Sequence, residues 1–265
     1  MTIATAGRIE IRRDARGVAT VIIDNAARLN ALGSSLLAAF AAAVAKLGED
    51  PSLRAVVVTG AGDRAFVGGA DIREMGEIDG PDAARAFITG VHLACAAVRA
   101  CPVPVIARIQ GYCFGAGLEL AAACDVRIAA EGAQLGMPEV RLGIPSVVEA
   151  ALLPLLIGWG RTRRLLLTGE TISAERALAW GLVEEVASSA KLDTAVEACL
   201  ADILACGPGA VRQQKALIAA WETLPLAQAI TAGIEAFADA YRTDEPKRMM
   251  SEFLAARAAS KAAND

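Results

Sequence analysis

Histidine is nearly absent from this chain: in 265 residues there is one, His92, set in the apolar stretch GVHLACAAV. A lone imidazole excludes metal centres built on several histidines. No Gly-x-Ser-x-Gly elbow is present either, so there is no serine-hydrolase triad for it to join. In its apolar setting His92 reads as a packed or partly exposed helix residue. The six cysteines (Cys95, Cys101, Cys113, Cys124, Cys199 and Cys206) form no CxxC pair and have no histidine at zinc-ligand spacing. Reduced thiols in a cytoplasmic protein, with no metal, are the expectation. A basic excess is lacking too. Lys and Arg number 26 against 30 Asp and Glu, a formal charge of −4, so no global field gathers nucleic acid. The short run Arg161-Thr162-Arg163-Arg164 reads as a solvated helix face or an anion contact. The most apolar stretch, LGIPSVVEAALLPLLIGWG, carries Glu149 and two prolines, so no membrane span is expected. The opening residues, MTIATAGRIEIRRDARG, lack the basic-then-apolar order of a secretory signal.

What is present is apolar material. Hydrophobic residues make up 55% of the chain and charged residues 21%, enough for a sizeable core in one large domain or two smaller ones. RIEIRRDARGVATVIID holds two runs about Asp14–Gly17 and predicts a hairpin. SSLLAAFAAAVAKL has helical length, with Ser34 as its expected cap. LRAVVVTG is a buried-strand run ending in glycine. Residues 82–100 read as a helix stopped before Pro102, and PVPVIARI and DVRIAA as further strands. From Val147 onward the pattern is almost wholly helical, with breaks near Pro154, Gly158–Gly160, Gly169, Gly181 and Pro208. Strands and helices thus alternate to about residue 145 and a helical tail follows, an α/β order. No repeat, low-complexity tract or linker interrupts it.

Several motifs carry chemistry. VVVTGAGDRA ends a strand with Gly60-x-Gly62-x-x-Ala65, the outline of a dinucleotide fingerprint, but FVGGAD follows and offers no helix to receive a pyrophosphate. In AFVGGADI, paired glycines let backbone N–H groups approach a ligand; an ordinary turn before a helix at Ile72–Glu77 is the plainer alternative. In FGAGLEL, Gly115-Ala116-Gly117 opens a helix whose first-turn N–H groups are unpaired, and Glu119 sits in that turn inside small apolar residues. A second carboxylate, Glu139, lies in the irregular GMPEVRLGIPS. Two sets of N–H donors and two carboxylates outline an oxyanion hole with an acid/base pair.

These stretches resemble the enoyl-CoA hydratase/isomerase, or crotonase, family. The resemblance rests on LNAL (Leu29–Leu32), AFVGGADI, PVPVIARIQGYCFGAGLELAAACDVRIAA, AQLGMPEVRLGIP and LLLTGETISAERALAWGLVEEV, in that order over about residues 18–187. It implies an α/β fold, a spiral of ββα units over residues 1–200, with a C-terminal helical region over 201–265 that helps form a homotrimer or homohexamer. By the resemblance, Gly68 and Ala116 supply the two oxyanion-hole N–H groups, and Glu119 and Glu139 are the catalytic glutamates. Arg28 and Arg73 fall where the family places residues near the coenzyme A nucleotide. Ala65, Val67, Ala70, Asp71 and Ile72 are expected to bind substrate with them. The substrate is an acyl-CoA thioester, coenzyme A belongs to the substrate, and no further cofactor is implied.

Two departures bear on the acyl group. Ala116 replaces the usual glycine, which keeps the N–H and narrows the pocket by a methyl group. SVVEAA stands where the family commonly has a glycine-rich stretch, so Ser146 occupies a position where a backbone glycine often helps seat the water and Glu149 is an added carboxylate; both join the expected substrate-binding residues. Helix-dipole complementation is the plainer reading of Glu149; the alternative is a role in substrate choice. The expected reaction is hydration of 2-enoyl-CoA. Its rivals are a Δ3–Δ2 isomerase, a hydrolase or lyase of the same family, and a non-catalytic binding or RNA-interaction protein on the same fold.

Overall fold

The order of burial along the chain decides how its strands assemble. The computed structural model describes residues 7–262. Strands β1 (Arg8–Arg13) and β2 (Val18–Asp24) form an antiparallel hairpin about Asp14–Gly17, with Arg8 opposite Asp24 and Arg13 opposite Ala19. Helix α1 (Ser34–Gly48) follows, burying Leu36, Leu37, Phe40, Val44 and Leu47. Its cap is Gly33. The Ser34 N–H and hydroxyl both donate to the carboxylate of Glu74, so Ser34 is the first helical residue and not the cap expected of it.

The next elements repeat a pattern. Strands β3 (Ala55–Gly60) and β4 (Ala65–Val67) lead to helices α2 (Ile72–Gly76) and α3 (Gly80–Ala100). Strands β5 (Val105–Ile109) and β6 (Tyr112–Phe114) lead to α4 (Ala116–Ala123). Strands β7 (Val126–Ala130) and β8 (Gln134–Gly136) lead, through two 3-10 turns at Glu139–Leu142 and Val148–Leu152, to α5 (Leu153–Thr168). Each pair gives one strand to each of two sheets. The larger sheet has the order β1-β2-β3-β5-β7-β10 and is parallel beyond the hairpin; the smaller has the order β4-β6-β8-β9. All six residues of β3 are buried, as a parallel strand covered on both faces requires. This is the spiral of ββα units.

The stretch after Val147 is less uniformly helical than its pattern predicts. Strand β9 (Thr171–Ser173) precedes α6 (Ala174–Trp180), and β10 (Glu185–Ala187) precedes α7 (Leu192–Ala205). Three-residue strands carry too few residues to display a period, and here the partner strands hold them: Leu135 pairs with Ile172 and Val186 with Ala129. Pro154 also starts α5 instead of breaking it, since a first-turn proline gives up an N–H that has no helical partner. Gly158, at φ 74°, is where α5 bends.

The chain divides into two compact units, Met1–Leu200 and Ala201–Asp265. In the second, α8 (Pro208–Trp221), α9 (Leu226–Ala240) and α10 (Glu245–Ala262) are helical throughout. The Glu245 carboxylate accepts from the Gly209 and Ala210 N–H groups at 3.0 and 2.8 Å and so closes the start of α8. Helix α9 leaves Leu226, Ile230, Ile234 and Phe237 exposed along one stripe. Among the described residues no single helix is long and apolar enough to cross a membrane.

Candidate active site

Helix α4 positions the first carboxylate. All eight of its residues are buried, Glu119 among them at 4% exposure, because small side chains let the helix lie against strand backbone. A Cβ on Gly117 would run into the carbonyl and side chain of Val67, so only glycine permits this approach. Gly115 caps the helix at φ 52° and ψ −122°, a backbone that side chains disfavour. A Cβ there would collide with Oε1 of Glu139. Glu139 therefore lies directly over the Gly115–Ala116 turn, one helical turn from Glu119. Its other oxygen accepts the Ser146 hydroxyl at 2.7 Å.

Both carboxylates line a cavity of about 640 Å³ in the first unit. The rest of its wall is largely apolar, with Met75, Ile78, Phe87, Ile88 and Val91 on one side and Phe114, Ile144 and Val147 on another. Burial pushes the Glu119 carboxyl up to about 8, and the neighbouring Glu139 charge adds to the rise. The Ala150 N–H, 3.3 Å from Oε1 of Glu119, opposes it. With burial and a neighbouring carboxylate both disfavouring its charge, Glu119 holds its proton near neutral pH.

The wall also presents backbone donors. Ala116 is the first residue of α4, and its N–H has no acceptor among the described residues, as expected for a first turn. Gly68 does not match this. Its N–H donates to the Leu29 carbonyl at 2.8 Å, so it has no free donor to offer, and the expectation placed on it needs correcting. The neighbouring chain explains why. Leu32 and Ala70 form a parallel bridge: the Leu32 N–H donates to the Gly69 carbonyl and the Asp71 N–H to the Leu32 carbonyl, both at 2.9 Å. The residue between, Ala70, must turn its own N–H away from Leu32. That N–H has no acceptor among the described residues, and Ala70 lines the cavity.

The remaining expected residues divide. Ile72 lines the cavity with Gly68 and Ala70. Ala65 and Val67 do not; they are fully buried in β4, where the Ala65 carbonyl accepts from Asn30 at 2.8 Å and Gln110 at 3.2 Å. Asp71 caps α2 through the Arg73 N–H and pairs with Arg28 at 2.9 Å, an exposed contact beside the cavity segment. Arg73 is exposed, with no side-chain partner among the described residues. Glu149 is buried off the cavity wall and meets His92 of α3. Sequence reasoning passed over Asn30, whose amide at φ 57° ties the LNAL turn to Ala61 and Ala65. A buried polar residue inside an apolar tetrapeptide was the available signal.

The family model described as Enoyl-CoA hydratase/isomerase matches residues 13–260. A short-chain-enoyl-CoA hydratase of Clostridium acetobutylicum is 34% identical over 241 residues, covering 91% of this chain and 92% of the relative. A crotonyl-CoA hydratase of Syntrophomonas wolfei is 35% identical over 244 residues, covering 92% and 94%. The crystal structure of an enoyl-CoA hydratase from Mycobacterium smegmatis superposes with a TM-score of 0.90 at 30% identity, covering 93% of this chain and 95% of that one.

Proposed function

The chain belongs to the enoyl-CoA hydratase/isomerase family, and on that premise we propose how it works. It is an enzyme that hydrates 2-enoyl-CoA thioesters to 3-hydroxyacyl-CoA. The observation that carries the mechanism is the placing of two carboxylates and two unpaired N–H groups on one apolar cavity wall.

Adding water across the α,β double bond moves negative charge onto the thioester oxygen. The N–H groups of Ala70 and Ala116 are the proposed donors to that oxygen, fixed in place before the charge develops. The Ala116 methyl group narrows the pocket beside them. The carboxyl pair handles the protons, and one of the two must be ionised and the other protonated. Before substrate binds, the proton rests on Glu119. Passing it through the bound water to Glu139 gives the working form. Glu119 then takes a proton from the water as its oxygen bonds to the β-carbon, and Glu139 delivers one to the α-carbon. Each hydration consumes one water and leaves one proton on the pair, so the cycle closes. Ser146, donating to Glu139, holds that carboxyl over the α-carbon position.

The names of the two relatives suggest a short acyl chain, with crotonyl-CoA the first substrate to try. Arg28 and the exposed Arg73 are suited to the phosphates of coenzyme A at the cavity mouth. No other cofactor or metal is proposed, and among the described residues no group of three or more His, Cys, Asp or Glu is placed to hold a metal ion. The exposed apolar stripe of α9 supports a homotrimer or homohexamer. Six free cysteines suit a cytoplasmic location, with no nucleic acid or membrane as partner. A panel of enoyl-CoA esters of increasing length tests the reading. Turnover is expected with the short esters; no hydration of any ester would overturn it.

A further inference from the structure

The mechanism above leaves one buried carboxylate without a task. Glu149 is 7% exposed, in the 3-10 turn Val148–Leu152 that packs on α4. Its Oε1 lies 2.8 Å from Nδ1 of His92, and its Oε2 is buried with no hydrogen-bond partner among the described residues. Leaving a carboxylate half-satisfied away from water is unfavourable, so the site must gain something by holding it. Complementing the turn's dipole does not account for this, because an exposed acid does that equally well.

The same turn reaches the active site. The Ala150 N–H, next in the chain, donates to Oε1 of Glu119 at 3.3 Å and to the Val147 carbonyl at 2.9 Å. Between them the backbone is strained: Val148 is β-branched yet sits at φ 38°, a conformation that persists only where the surroundings hold it. Two side-chain contacts join Glu149 of this turn to α3: the 2.8 Å pair with His92 and a hydrogen bond with the Cys95 thiol. The imidazole is half exposed, its side chain 52% accessible, so it forms the surface end of a clasp whose other end, Glu149, is buried. The Cys95 thiol, one turn along α3, is pushed up first by burial, then by the Glu149 and Glu119 charges and by its hydrogen bond with Glu149. The two carboxylates therefore flank one point on α3.

We propose that Glu149, clasped by His92, is a positioning residue that fixes the Val147–Ala150 turn so that its N–H holds Glu119 in working orientation. The proposal rests on the hydratase mechanism above for its kinetic consequence, but not for its structural one.

Four variants test it: Glu149→Ala and His92→Leu break the clasp, while Glu149→Gln and His92→Gln keep a hydrogen bond across it. With crotonyl-CoA, the two breaking variants should lose about ten- to a hundredfold in kcat with KM within about twofold, the scale of a misplaced reacting group. The two glutamine variants should stay within about threefold of the parent. A readout that needs no substrate accompanies this. The infrared carbonyl band of protonated Glu119, isolated as the difference against Glu119→Gln, should move to higher frequency in the breaking variants and stay in place in the glutamine ones. Unchanged kcat and an unmoved band in Glu149→Ala would overturn the clasp. So would glutamine variants as impaired as the breaking ones. Should the parent hydrate no enoyl-CoA, the hydratase reading fails, and the band alone still decides for or against the clasp.

Discussion

Replacing Glu119 by glutamine should change how stability depends on pH, and the size of the change follows from the site. The folded carboxyl titrates at about 8 against 4.5 in its ordinary state. Because the folded value is the higher one, the protonated group favours the folded state fully below pH 4.5. That contribution is lost as pH rises to about 8, since the unfolded chain ionises Glu119 while the folded chain resists. Above pH 8 the loss is complete and the curve flattens. At about 1.4 kcal/mol per pH unit across that window, the parent loses roughly 5 kcal/mol through this one residue. Glutamine keeps the shape and an oxygen for the Ala150 N–H and never ionises, so Glu119→Gln escapes the loss. Urea unfolding of both proteins at one protomer concentration, from pH 5 to pH 9, measures the difference. The two should be nearly equal at pH 5, and the variant should be more stable by several kcal/mol at pH 9. Parallel curves across the range would refute the buried, proton-holding Glu119.

Three further outcomes follow from the same geometry. Ala116→Pro removes the first-turn N–H at a helix position that tolerates proline, so kcat/KM for crotonyl-CoA should fall by about 10²–10³ while circular dichroism stays that of the parent. Activity should survive exhaustive chelation, since backbone donors and not a metal polarise the thioester; loss restored by one added metal would contradict this. Sedimentation at micromolar concentration should show a trimer or hexamer, and changing Phe237 and Ile234 of the exposed α9 stripe to aspartate should dissociate it.

The sequence disclosed more of the fold than of the site. The β1–β2 hairpin, β3, α3 and β5 were readable because each is long enough to show a period or a fully apolar run. The strands β4, β6, β8, β9 and β10 are three residues each and exist by pairing, so nothing within them announced them. Glu119 was conspicuous as a carboxylate within small apolar residues, and the structure puts it on one cavity wall with Glu139. Which N–H groups face that cavity was not readable. The choice of Ala70 over Gly68 depends on the bridge between Leu32 and Ala70, which only the folded chain brings together. The His92–Glu149 contact, 57 residues apart, was hidden for the same reason.

Glu119 and Glu139 are proposed to share the proton work of hydration, and the rate of crotonyl-CoA hydration in Glu119→Gln and Glu139→Gln tests this. Each substitution preserves shape and removes one ionisable group. Hydration is followed by the loss of ultraviolet absorbance as the conjugated double bond disappears. A fall of about a hundredfold or more is expected for Glu119→Gln, the scale of a lost general base. No measurable hydration is expected for Glu139→Gln. Any isomerase side activity, which one base can serve, should fall less in Glu119→Gln than hydration does. A Glu119→Gln enzyme that hydrates crotonyl-CoA at the parent rate would contradict the account.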